Sequence, residues 1–200
     1  VSQNQYVATN YLNSNGAIVW DATANSEFKS DIAGIGKDDF GALNQVMSKS
    51  INNVAEPLLS LTAIPSSASN ATQAGLVNFD NNNQYLIWGN NATRGFTPFT
   101  NVIDSNINVR LSRVWKAQTS NYNLTGNDDI VFNFPEASVK PFINSGATVY
   151  LVLSTTPDFS SGNYLFPIPT TTTTIDSRTY VSTIYDVSSN RLYRYPMNSY

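Results

Sequence analysis

The chain has 200 residues, 11 Lys and Arg against 14 Asp and Glu for a net charge of −3, and neither cysteine nor histidine. That length supports one domain with a sizeable core. Without Cys there are no disulfides, thiolate metal sites or Cys nucleophile; without His the usual neutral-pH general base and commonest transition-metal ligand are gone.

Charged residues make up 12% of the chain, against about 25% in ordinary domains. Polarity comes from Asn, Ser and Thr, which suits a secreted, wall-attached or polymerising protein. A pI near 4.7 with scattered basic residues leaves no footprint for phosphate backbones, so nucleic acid is not an expected partner. No apolar run approaches about 18 residues, so no membrane span is expected. No signal peptide is visible, and a first residue of Val fits a processed chain or an excised domain.

In chain order, alternation and composition predict strands over 5–12, 17–21, 58–63, 84–89, 107–117, 129–134, 147–154, 179–187 and 191–195. A short helix is predicted over 39–50, where Phe40, Leu43 and Met47 fall at helical spacing after a capping Asp38. Residues 64–83 read as a long polar loop. In 107–117, Ile107, Val109, Leu111, Trp115 and Ala117 share a face on which Arg113 intrudes. Residues 147–154 are apolar at nearly every position, as in a central strand covered on both sides. The threonines at 170–174 read as a strand edge or spacer. Turn residues separate the runs, at Asn15-Gly16, Asn81-Asn82-Asn83 and Asn144-Ser145-Gly146 among others. The expected fold is an all-β antiparallel sandwich of the jelly-roll or immunoglobulin-like class, with at most one short helix. It occupies residues 1–200, with 1–12 and 166–200 as candidate inter-subunit segments.

Few constellations carry chemistry. Asp31, Asp38 and Asp39, with Asp21 upstream, form the densest carboxylate group and the leading candidate calcium site, ahead of Asp128-Asp129. The spacing is not that of an EF-hand and Lys37 sits inside it; turn capping or pairing with Lys and Arg is the alternative role. No other cofactor is expected. Gly34-x-Gly36 lacks a phosphate-loop ending and reads as a tight turn. Trp20, Trp88 and Trp115 read as core residues and not as sugar platforms. No catalytic residue is nominated: nothing in the spacing picks two carboxylates from Glu27, Glu56, Glu136 and the aspartates. Tyr6 and Tyr11 near one end, and Tyr193, Tyr195 and Tyr200 near the other, are candidate interface residues. Asn70, Asn91 and Asn123 open N-glycosylation sequons.

The run Ile18-Val19-Trp20-Asp21-Ala22-Thr23-Ala24-Asn25, then Asp31-Ile32-Ala33-Gly34-Ile35-Gly36-Lys37-Asp38-Asp39, Leu43-Asn44-Gln45 and Ser48-Lys49-Ser50-Ile51-Asn52, resembles a domain of unknown function repeated in large secreted and cell-surface proteins of Bacteroidota. Its signature reads WDAT…DIAGIGxDD…LNQxxSxSxN. The resemblance continues through Gln84–Asn91, Leu111–Lys116 and Tyr150–Leu153. Where relatives tend to read Leu-Val-Asp-x-Asp-Gly-Asp-Phe, this chain has Leu153-Ser154-Thr155-Thr156-Pro157-Asp158-Phe159, with most acidic ligands absent. The resemblance implies an extracellular β-domain and no activity. The expectation is a non-enzymatic structural module of a cell-surface assembly or filament, a homo-oligomer or polymer through strand contacts. The alternative is an adhesin or carbohydrate-binding module, calcium-dependent or not, with glycans as partners.

Overall fold

The computed structural model describes residues 9–50, 60–62, 79, 81–100, 107–121, 130–136, 140, 142, 145–168, 172–175, 178–185 and 198–199. The regular structure of the described residues is mainly antiparallel strand: β1 (Tyr11–Leu12), β2 (Ile18–Trp20), β3 (Ser30–Asp38), β4 (Leu43–Gln45), β5 (Met47–Lys49), β6 (Ser60–Thr62), β7 (Gln84–Asn90), β8 (Phe96–Pro98), β9 (Val109–Leu111), β10 (Trp115–Ser120), β11 (Ile130–Pro135), β12 (Tyr150–Leu153), β13 (Tyr164–Pro167), β14 (Thr172–Ile175), β15 (Arg178–Tyr185) and β16 (Asn198–Ser199). One five-stranded sheet has the order β16-β10-β7-β3-β4 and a second the order β14-β15-β11-β6-β5; β1-β2, β8-β9 and β12-β13 are separate pairs.

Strand β7 is buried at every position because both faces of its sheet are covered. Leu86 and Trp88 point to one side, where with Ile35 of β3 they meet Ile130 and Phe134 of β11 in the second sheet. Val46, Phe79 and Ile168 complete this first core. Tyr85 and Ile87 point to the other side, into a second core with Val19, Trp20, Phe28, Phe99, Val114 and Phe159. Each fully buried Leu, Ile or Phe contributes about 1.5–3 kcal/mol, so two cores on one sheet make it the backbone of the fold. Trp20 and Trp88 are 1% exposed and Trp115 is half-buried against the first core, so the tryptophans are packing residues.

Several expected elements change. Residues 39–50 form a turn and two strands: β4 edges the first sheet and β5 the second, joined at buried Val46. The helical spacing of Phe40, Leu43 and Met47 was a coincidence of two strands around a turn. A 3-10 helix lies instead at Ser26–Phe28. The single strand expected over 107–117 breaks at 112–114, where Asn91 Oδ1 accepts the Val114 amide and Asn91 Nδ2 donates to Ser112 O. There Arg113 is buried and its Nε donates to Thr93 O. β12 does have cover on both faces, Leu151 and Leu153 touching the first core and Val152 the second, but its partner is β13 and not a large sheet. The threonine run supplies β14, an edge strand. Residues 191–195, the first half of 5–12 and most of 64–83 lie outside the described residues.

Candidate functional site

Residues 31–38 of the signature run lie in β3, so Gly34-x-Gly36 is extended strand and not a tight turn, and Asp39 opens the turn that follows. The strand's alternate residues Gly34, Gly36 and Asp38 lie on the side of the second core. A Cβ at Gly36 would sit 2.5 Å from Tyr85 Cδ1 and 2.6 Å from Gln84 O; one at Gly34 would sit 2.9 Å from Ile87 Cγ1. The glycines therefore leave room for the side chains of the paired strand β7 to lie across β3.

Lying there, the Tyr85 ring brings its hydroxyl to Asp38, donating to Oδ2 over 2.7 Å. Ser14 donates twice, its backbone N–H to Oδ2 at 2.9 Å and its hydroxyl to Oδ1 at 2.5 Å. The Gly41 amide donates to Oδ1 at 3.0 Å. Asp38 is 3% exposed and each carboxylate oxygen accepts two hydrogen bonds. The Ser14 hydroxyl first, then the Gly41 and Ser14 amides and Tyr85, hold its carboxyl well below the usual carboxylate range. Burial, and then the bond to Asp38, push the Tyr85 phenol well above its ordinary value.

Two turns bond this carboxylate through Ser14 and Gly41, and a third braces both. Asn13 Oδ1 closes the β1–β2 turn by accepting the Asn15 and Ala17 amides, and Asn13 Nδ2 donates to Asn83 Oδ1 at 3.3 Å. Asn82 Oδ1 accepts the Asp39 amide at 2.8 Å and the Asn83 amide at 2.9 Å. The turns 13–16, 39–42 and 81–83 thus form one pole, and Phe40 projects from it with 83% of its surface exposed. At the other end of β2, Asp21 Oδ1 caps the next turn by accepting the Thr23 and Ala24 amides. Asn25, 1% exposed, donates to Gln118 Oε1 at 2.6 Å.

The calcium candidates are not gathered. Asp31 and Asp38 stand at opposite ends of β3, separated by roughly 20 Å at the usual rise per residue. Asp31 accepts from Asn90 Nδ2, and exposed Asp39 faces Lys37 at 3.6 Å. The four hydrogen bonds to Asp38 occupy the lone pairs a cation would need. Among the described residues no three acidic side chains cluster as a metal site would require. In the 154–163 loop, hydroxyls make the internal bonds: Ser154 Oγ donates to Ser161 O and accepts the Thr156 amide, and Thr156 Oγ1 and Asp158 Oδ1 accept the Ser160 amide.

Tyr11 is exposed on β1; Tyr6, Tyr193, Tyr195 and Tyr200 lie outside the described residues, as do Asn70, Asn123, Glu56, Asp128 and Asp129. Asn91 has both ends of its amide engaged in the stitch to Ser112 and Val114. Glu27 is exposed, and Glu136 pairs with Lys140 at 2.8 Å. β14, β15 and β16 take places in the domain's own sheets. Sequence reasoning missed Ser14, Tyr85 and Phe40; the Asn-Ser-Asn-Gly turn was legible, but nothing local pairs it with an aspartate 24 residues away.

The geometry is that of an all-β, two-sheet protein whose most distinctive motif builds the fold. The chain belongs to the family described as domain of unknown function DUF8202, whose model matches residues 2–191. No curated protein and no solved structure matches it. No helix among the described residues is long and apolar enough to cross a membrane.

Proposed function

We propose that this domain is a non-enzymatic structural module of an extracellular, cell-surface assembly of the kind its Bacteroidota-like signature implies. One observation carries the reading: the signature residues Trp20, Asp21, Asn25, Gly34, Gly36 and Asp38 are engaged in packing and internal hydrogen bonds. A motif that encodes a catalytic site leaves reactive groups facing a cleft. Here the most polar member, Asp38, is sealed by four donors, so it serves shape and not proton transfer. The neutral Asn/Thr surface and the absence of Cys and His support the same reading.

In this role the module contacts further copies of itself through strands or terminal segments. Electron microscopy of surface material from the native source, with the domain located by specific antibody, tests it. Label along regular fibres or arrays is the expected result. Label on isolated soluble molecules, or turnover in a hydrolase substrate screen, would overturn it.

A further inference from the structure

We propose that the pole around Phe40 is a binding site for a neutral polysaccharide, a function beyond the structural role. Among the described residues Phe40 is the most exposed large hydrophobic side chain, and it belongs to neither core. The turn that carries it is nevertheless held rigidly. Asp38 accepts the Gly41 amide on one side of the ring, Asn82 accepts the Asp39 amide on the other, and the Ala42 amide closes onto Asp39 O at 3.3 Å. Ala42 is kept at φ +50, a left-handed conformation that costs a non-glycine residue energy and persists only where the surroundings enforce it. A flat apolar ring carried into water on a braced turn is placed to stack on another flat apolar face.

The groups around the ring select the ligand. Asn82 and Asn83 use their Oδ1 atoms to hold the pole together, which leaves their Nδ2 groups as donors; Asp39 adds an exposed carboxylate acceptor. The charges there, Lys37 and Asp39, offset each other. The remaining charge, the Asp38 carboxylate, is sealed beneath the turn by four donors, so the pole presents no unpaired cation to phosphate or sulfate. An aromatic face bordered by neutral donors and an acceptor complements a pyranose ring, with its apolar C–H face and peripheral hydroxyls. The tryptophans, the usual stacking residues, are in the cores and take no part.

Native affinity electrophoresis of the full chain through gels containing a soluble β-glucan, a mannan or a galactan tests the proposal. At least one polysaccharide should retard the wild type. Phe40→Ala should weaken that retardation at least about tenfold, the effect of losing roughly 1.4 kcal/mol of contact. Asp39→Ala should weaken it further, while Phe96→Ala, an exposed phenylalanine on β8, leaves it unchanged. Melting of Phe40→Ala should match wild type, which separates lost contact from lost fold. Retardation by none of the three, or full retention in Phe40→Ala, overturns the proposal. So does a change in sedimentation on Phe40→Ala without a change in retardation, which would make the ring a protein contact. None of these outcomes depends on whether the native material forms fibres.

Discussion

At the residue scale, Asp38 behaves as a structural anion. Its carboxyl is depressed in the folded state, so its contribution to stability is fully present above the unfolded-state pKa of about 4 and is lost as pH falls through the folded value. Tyr85 runs the opposite way: its phenol is raised, so its contribution is present below an unfolded pKa of about 10 and is lost as pH rises through the folded value. Asp38→Asn should therefore lower the urea midpoint at pH 7, and the gap to wild type should narrow progressively below about pH 4. Parallel curves down to strong acid would show that the four hydrogen bonds contribute nothing net. Gly36→Ala drives a Cβ into Tyr85 and the Gln84 carbonyl, and overpacking of this kind costs about 1–3 kcal/mol. Pairing it with Tyr85→Ala should cost less than the sum of the two single changes, because the first clash disappears.

At the scale of elements, the sequence pattern located strands better than it located their partners. Runs such as 84–89 and 129–134 alternate cleanly or are apolar throughout, and β7 and β11 fall where the pattern puts them. β3 was illegible as a strand because Gly34 and Gly36 replace the apolar residues that mark a buried face; the apolar atoms there belong to Tyr85 and Ile87 of β7. β4 and β5 were misread because a strand leaving one sheet for another places apolar residues on both sides of a turn, which mimics a helical stripe. The carboxylate group is dispersed for a related reason: Asp31 and Asp38 are near in sequence, and an extended strand carries them apart. Amide hydrogen exchange should be slowest in β7, paired on both edges and covered on both faces. Faster exchange in Leu86–Trp88 than in β8 would contradict this placement.

At the scale of the whole molecule, the two cores share one sheet, each packing against an opposite face of the same strands. Trp88→Ala should cost about 3–5 kcal/mol, as for other buried tryptophans, and half-buried Trp115→Ala less. Equal costs for the two, measured by chemical denaturation, would mean that the two side chains do not differ in burial within the first core as the structure places them. Far-UV circular dichroism should give a strand-dominated spectrum with helix far below about a third of residues, the globular average.

The placement of the tryptophans has an optical consequence. Trp88 reports from the layer between the two sheets, and Trp20 from the layer beneath the hairpins. With Trp115 and one of these replaced by Phe, the remaining indole becomes a local fluorophore. Red shifts of Trp20 and Trp88 emission that coincide along a denaturant ramp would mean that both layers melt as one unit. A Trp20 shift that precedes Trp88 would reveal an intermediate in which the hairpins have peeled away from an intact sandwich.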